Sequence, residues 1–180
     1  MRIGRRWIGL LAPLTVFALL VGAGYAAQLS PVLDAAKRSD IEALKTELRS
    51  GGDVNAAQTD GFTGLHWAAK TGNREVAEVL IAAGADIRAT TRLGRHMPLH
   101  VAAAAGQAEI AETLLEAGAP VAEPTATGAR AIHFAATSGN APTLEVLVAK
   151  GADVNAVEPQ WGQTPLMFAA AVGRTGAVEA

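Results

Sequence analysis

Three histidines recur along the chain at nearly constant spacing and are its clearest candidates for chemistry. His66, His100 and His133 follow one another at almost equal intervals, and Met167 stands one further interval along. An imidazole can act near neutral pH as a general base or as a metal ligand. The two chemistries to consider are therefore general acid–base catalysis and zinc binding.

The spacing itself argues against a shared metal ion. A period of about 33 residues indicates a stacked array of one small unit, in which equivalent residues lie on neighbouring packed helices. Such helices are about 8–10 Å apart, whereas zinc holds its nitrogen ligands at about 2 Å. We therefore predict no metal site, and we expect the histidines to satisfy buried hydrogen bonds.

Other catalytic patterns are absent from the sequence. There is no glycine-rich phosphate loop, no nucleophilic serine pattern and no zinc-protease helix. The chain has no cysteine, which excludes disulfides, thiolate metal sites and cysteine nucleophiles. Asp53, Asp86 and Asp153 recur at turns, where a carboxylate usually accepts local backbone hydrogen bonds. We predict a non-enzymatic chain with no catalytic residues and no cofactor.

The repeated unit predicts a pair of short helices that are stable only when stacked. In the second unit, residues 65–70 are too few for an independent helix. Residues 74–83 follow with an apolar stripe at helical spacing, formed by Val76, Ala77, Leu80, Ile81 and Ala83. Glycines that suit left-handed helix ends recur on the same period. The predicted structural glycines are Gly72, Gly84, Gly106, Gly118, Gly139 and Gly151.

These motifs resemble the Thr-Pro-Leu-His-x-Ala-Ala signature of ankyrin repeats. The matching segments are 65–69, 98–103 and 164–170, and residues 151–155 are similar to the turn that begins each ankyrin finger loop. The resemblance implies an all-α solenoid of helix-turn-helix units with finger loops. It also implies that His66, His100 and His133 bond loop backbone and link neighbouring units. Ankyrin arrays bind many different partners, so the fold alone does not name a function.

The resemblance divides the chain into about four repeats and a truncated fifth. The predicted ranges are 30–52 for an N-terminal capping repeat, then 53–85, 86–119, 120–152 and 153–180. Ser30, as a capping residue, and Pro31 form a typical helix start. Glu47 replaces an apolar residue, which suits an outward-facing terminal unit. The closing glycine of the fifth unit would fall beyond Ala180, so we expect a longer protein.

Residues 1–26 have the layout of a secretory signal peptide. Arg2, Arg5 and Arg6 precede an uncharged apolar run, and small residues favour cleavage after Ala26. We expect a protein of bacterial type, exported to the periplasm or secreted. The alternative is an uncleaved segment that anchors the chain in a membrane. Removal of the leader leaves 12 basic and 17 acidic side chains, which argues against nucleic-acid binding.

The ankyrin resemblance implies a concave binding surface made of finger loops and first helices. Our candidate partner-binding residues are Phe62, Trp67, Lys70, Arg92, Arg95, Phe134, Trp161 and Gln163. Aromatic residues and arginine dominate binding hot spots. We expect Phe62 and Trp161, beside finger glycines, to be exposed, whereas Trp67 and Phe134 suit either the surface or packing between repeats.

These observations predict a scaffold that binds a protein partner on the concave surface, without enzymatic activity. A basic cluster at Arg88, Arg92, Arg95 and His96 is either a solvated finger or a site for an acidic partner segment. Two alternatives stay open. The array could be the recognition arm of a longer enzyme or channel, or a membrane-tethered structural protein.

Overall fold

The structure is a computed structural model, and it describes residues 30–179. Those residues form ten helices in five successive pairs. The helices are α1 (Pro31–Arg38), α2 (Ile41–Arg49), α3 (Gly64–Thr71), α4 (Arg74–Ala82), α5 (Pro98–Ala104), α6 (Ala108–Glu116), α7 (Ala131–Ser138), α8 (Ala141–Ala149), α9 (Pro165–Ala171) and α10 (Thr175–Glu179). The predicted all-α solenoid is confirmed. The predicted leader, residues 1–26, lies outside the described residues.

The helices stack in two layers, one for the first helix of each pair and one for the second. In the first layer α1 contacts α3, α3 contacts α5, α5 contacts α7 and α7 contacts α9. In the second layer α2 contacts α4, α4 contacts α6 and α6 contacts α8. Each predicted repeat contains one helix pair, and four loops connect the pairs. We call these loops the fingers, and they comprise residues 50–63, 83–97, 117–130 and 150–164.

The core lies between the two layers and is built from small and branched apolar residues. In the first helices, the pairs Ala68–Ala69, Ala102–Ala103 and Ala135–Ala136 are fully or almost fully buried. In the second helices, Leu80, Leu114 and Leu147 occupy equivalent positions and are completely buried. Small side chains allow the first helices to approach closely, and the leucines fill the space behind them.

The one extra residue of the third repeat is accommodated in its finger. Gly94 and Arg95 both adopt left-handed backbone conformations, with φ of 81° and 53°. Such a φ is uncommon for a residue with a side chain. The chain turns back within two residues, and α5 begins at Pro98 in register with α3. The six predicted structural glycines also have left-handed φ values, between 67° and 96°.

Two local predictions were wrong. Ser30 is the N-cap residue of α1, but its side chain makes no capping hydrogen bond. Ala83, predicted to lie on the buried stripe of α4, is exposed. The helix ends at Ala82, and Ala83 is its C-cap residue, directly before the left-handed Gly84. No helix within residues 30–179 is long and apolar enough to cross a membrane.

Burial of the leucine layer predicts a large loss of stability when one leucine is shortened. Leu114→Ala should lower the free energy of unfolding by about 2–5 kcal/mol, because Leu114 is completely buried and its truncation leaves a cavity. Urea unfolding followed by circular dichroism measures this change. The matched control is Leu93→Ala, because Leu93 is 82% exposed. Equal losses in the two variants would contradict the assignment of the core.

Candidate binding surface

The three periodic histidines join the second repeat to the third, the third to the fourth and the fourth to the fifth. Their Nδ1 atoms accept a backbone N–H from three residues earlier, at 3.2, 3.0 and 3.1 Å for His66, His100 and His133. Because Nδ1 accepts, the proton is on Nε2. The Nε2 atoms donate across to the next finger, at 2.9, 2.9 and 3.1 Å from the carbonyl oxygens of His96, Glu123 and Ala156. Both nitrogens of each ring are therefore occupied within the fold.

Burial keeps these imidazoles neutral. It lowers the pKa of His100 to about 4, although the hydrogen bond to the Glu123 carbonyl favours the protonated ring. Burial also lowers the pKa of His66 and of His133. A neutral ring with one donor and one acceptor is what the two backbone hydrogen bonds require. The recurring histidines thus lack the free, solvent-facing nitrogen that a general base would need.

The outward side of the first helices, together with the fingers, forms what we call the first-helix face. Two rows of side chains run along it at intervals of one repeat. One row contains Asp34, Trp67, Val101, Phe134 and Phe168. The second row contains Lys37, Lys70, Ala104, Thr137 and Ala171. The face is therefore basic and aromatic near α1 and α3, and apolar with small side chains further along.

Trp67 is the centre of the aromatic and basic end of this face. The ring of Phe62 meets it edge-on at 5.1 Å between centroids. The ammonium groups of Lys37 and Lys70 each lie 5.0 Å from the Trp67 ring centroid. At such distances the ring attracts both cations. The structure thus brings together Phe62, Trp67 and Lys70, three of the residues singled out in the sequence.

The expectation that Phe62 is exposed was wrong. Phe62 is half-buried because its ring packs against Trp67 and also lies 4.9 Å from the His66 ring. Phe134 and Phe168 are half-buried in a similar way, at 5.7 Å from His100 and 5.2 Å from His133. These three aromatic side chains therefore both support the structural histidines and contribute to the surface.

The remaining candidates lie on the fingers. Arg92 and Arg95 are exposed on the third-repeat finger. Trp161 is 72% exposed on the fifth-repeat finger, three repeats away from Trp67, and Gln163 beside it is half-buried. The structure therefore places the candidates in separate groups along the face and does not gather them into one cluster.

The fingers are fixed to each other by backbone hydrogen bonds. The N–H of Arg92 donates to the carbonyl of Asp60 at 2.7 Å, and the N–H of Ala126 donates to that of Gly94 at 2.9 Å. At their bases, the carboxylates of Asp53, Asp86 and Asp153 each accept the N–H two residues later, at 2.9 Å. The finger side chains are consequently presented on an ordered backbone.

A buried carboxylate organises the fifth-repeat finger. Glu158 is 2% exposed and accepts N–H groups from Gln160, Trp161 and Gln163 at 2.7, 2.8 and 3.2 Å. Burial by itself raises the pKa of this carboxyl group, but the three N–H donors outweigh it and hold the pKa below its usual value. Glu158 thereby determines how Trp161 is presented.

Sequence reasoning missed two residues of this surface, Glu158 and Lys37. Both could have been found from the period, since Lys37 stands one repeat before Lys70 and Glu158 stands one repeat after Thr125. The first repeat was interpreted only as a cap. The polar finger position before each first helix was not considered at all.

Comparison with protein families identifies the array. The family model described as ankyrin repeats (3 copies) matches residues 32–127 and 99–180. The chain belongs to the ankyrin repeat family. Ankyrin repeats generally mediate protein–protein interaction, so the surface features described above belong to a family of binding modules.

Curated relatives of this ankyrin repeat chain carry different names. Ankyrin repeat and SOCS box protein 3 from Bos taurus is 42% identical over 144 residues, which cover 78% of this chain and 27% of that protein. Palmitoyltransferase AKR1 from Naumovozyma castellii is 44% identical over 158 residues, which cover 81% of this chain and 20% of that protein. Potassium channel AKT1 from Oryza sativa subsp. indica is 49% identical over 53 residues, which cover 29% of this chain and 6% of that protein. The chain spans at most 27% of the length of these relatives.

The lowered pKa of His100 predicts an acid-sensitive link between ankyrin repeats. The unfolded ring titrates near 6.5 and the folded ring near 4, so the folded state binds fewer protons between these values. The neutral ring contributes fully to the free energy of unfolding above pH 6.5. This contribution, up to about 3 kcal/mol, is lost as the pH falls towards 4.

Unfolding of the wild-type chain and of His100→Gln at several pH values between 8 and 4 tests this prediction. The difference in their free energies of unfolding should shrink as the pH falls from 6.5 towards 4, because glutamine does not titrate. A difference that is constant over this range would show that protonation of His100 does not oppose folding.

Proposed function

We propose that the array is a non-enzymatic scaffold that binds a protein partner on its first-helix face, the surface that the ankyrin resemblance describes as concave. The observation that supports this best is the combination of aromatic and basic side chains on that face, centred on Trp67 with Lys70 beside it. Tryptophan is one of the residue types that contribute most of the binding energy at protein interfaces, and charges beside it orient the partner as it approaches.

The opposite side of the array lacks these features. The helices α2, α4, α6, α8 and α10 contain no aromatic residue. Glutamate is the commonest residue at their exposed positions, and some of these glutamates form surface ion pairs, such as Arg74–Glu78 at 2.7 Å and Lys45–Glu75 at 3.6 Å. Lysine and glutamate are depleted in the cores of protein interfaces. The second helices therefore suit a surface that faces solvent.

A rigid surface also favours binding. The histidine hydrogen bonds link successive repeats, and the finger hydrogen bonds fix the loops before any partner arrives. A preordered surface loses less conformational entropy on association than a flexible one. The arrangement therefore supports docking with little change in the array itself.

The relatives support a second possibility for the whole protein. Each relative is far longer than this array, and two of them are named as a channel and a transferase. Under this second proposal the array is the recognition arm of a longer protein and positions another domain by the same first-helix face. The binding role of the face is common to both proposals.

Site-specific photocrosslinking tests which face binds the partner. A benzophenone side chain at Thr71 or Ala105, both exposed on the first-helix face, should crosslink to a protein in the native cell. The same group at Glu78 or Glu112, exposed on second helices, should not. Adding Trp67→Ala should lower the crosslinking yield by roughly tenfold or more, as for loss of a hot-spot residue. Equal yields from both faces would refute the proposed surface.

We further propose that the protein is exported, on the basis of the charged and apolar character of residues 1–26. N-terminal sequencing of the chain recovered from its own cells should begin at Ala27. A chain that still begins at residue 1 would instead support the membrane-anchored alternative.

A further inference from the structure

The two layers of helices carry opposite charge. Helices α2, α4, α6 and α8 contain eight glutamates and three basic residues. The first helices contain Lys37, Arg38 and Lys70 against one acid, Asp34, which is paired with Arg38 at 2.9 Å. The whole chain has a net charge of −2. The positive charge of the first helices, concentrated in α1 and α3, is therefore a local feature that opposes the overall balance.

Lys37 and Lys70 form a two-cation site on one aromatic ring. They occupy the same position of successive first helices, and both ammonium groups lie 5.0 Å from the Trp67 ring centroid. Both side chains are exposed, and neither forms an ion pair with any residue between 30 and 179. Because both ammonium groups lie 5.0 Å from the same centroid, they are at most about 10 Å apart, and a carboxylate that reaches both is attracted by two positive charges.

The indole of Trp67 is itself incompletely satisfied. Its Nε1 is buried and has no hydrogen-bond acceptor within the described part of the chain. Buried N–H groups nearly always have a partner, and an exception calls for an explanation.

Beyond Trp67 the same face becomes apolar. The row continues through the half-buried Val101 and Phe134. Beside it lies a depression of about 390 Å³, whose lining includes Ala104, Ala105 and Phe134 and also the polar side chains of Thr137, Ser138, Asn140 and Arg174. The aromatic ring and the alanines can pack against a bulky apolar side chain of a partner, and the polar groups make the rest of the depression hydrophilic.

We propose that the first-helix face binds an acidic segment of its protein partner, with a carboxylate between Lys37 and Lys70 and an apolar residue in the depression beside Phe134. Arg92 and Arg95, exposed on the adjoining finger, add positive charge along the approach. Neighbouring packed helices are about 8–10 Å apart, and an extended chain advances about 3.3 Å per residue. The depression lies between α5 and α7, two helix positions beyond the lysine site, so roughly five to six residues separate the acidic group from the apolar one. This inference rests on the proposed function, since it specifies the chemistry of that partner.

An acidic protein segment fits these observations better than a nucleic acid does. Nucleic-acid-binding surfaces are marked by a continuous basic stripe and usually by a basic domain. Here the basic side chains on the first helices are few, and the second helices carry an excess of glutamates.

Peptide selection with charge reversal tests the proposal. A random 12-residue library displayed on phage is selected against the purified full chain, and against Lys37→Glu/Lys70→Glu. The matched control is Arg49→Glu/Arg74→Glu, which makes the same charge change at two exposed positions of the second helices α2 and α4. Peptides selected by the wild-type chain should be enriched in Asp and Glu together with a large apolar residue. Their Kd should rise on the order of tenfold in the Lys37/Lys70 variant and stay unchanged in the control.

The reversed variant should also select basic peptides in place of acidic ones. Circular dichroism and thermal unfolding establish that each variant is folded. If the glutamate pair unfolds the array, Lys37→Gln/Lys70→Gln replaces it, and the same loss of acidic peptides is expected. Selected peptides without acidic enrichment, or equal weakening in the control variant, would overturn the inference. So would tighter binding of a 20-nucleotide poly(U) RNA through the same two lysines.

The outcomes separate this inference from the proposed function. If a benzophenone at Thr71 still crosslinks the native partner while Lys37→Glu/Lys70→Glu has no effect on that yield, the binding face stands and the acidic segment is wrong. If crosslinking from the first-helix face fails altogether, the proposed function fails first and the inference falls with it.

Discussion

The hydrogen bonds of a buried, neutral imidazole are the interaction on which the rest of this structure depends. One helix pair has too little apolar surface to be stable alone, so each repeat must be joined closely to its neighbour. The ring of His100 does this by accepting a backbone N–H in its own repeat and donating to the Glu123 carbonyl in the next. Three such links hold first helices and fingers in one register, and the alanine pairs then bring the helices into contact.

The same interaction explains why the most conspicuous chemical groups in the sequence do no chemistry here. A histidine whose two nitrogens are both hydrogen-bonded, and whose pKa is lowered by burial, has nothing left to offer a substrate or a metal. The side chains that the stacking leaves outward are the ones available to a partner. Trp67 differs from Phe134 and Phe168 in this respect, because its ring contacts Lys37 and Lys70 and those of the other two contact a structural histidine.

A repeat array separates folding from recognition. The left-handed glycines and the buried alanines, leucines and histidines recur because every unit solves the same packing problem, whereas the outward rows change from basic to apolar along the stack. Relatives named as a channel, a transferase and a SOCS box protein are similar to this chain over small fractions of their lengths. Shared architecture therefore carries little information about the partner, and the charge and shape of one face carry much more.

The sequence alone determined the helix pairs, the left-handed glycines and the spacing of the histidines, because each follows from a local requirement that returns in every unit. The errors in local structure were small. At Ala83, for example, the helix ends one residue earlier than predicted. The tertiary structure decided what the period does not encode. Phe62 is half-buried because its ring packs against the rings of His66 and Trp67 in α3. Lys37 contacts Trp67 because stacking places α1 beside α3. These contacts depend on the distance and direction between elements, and only packing establishes both.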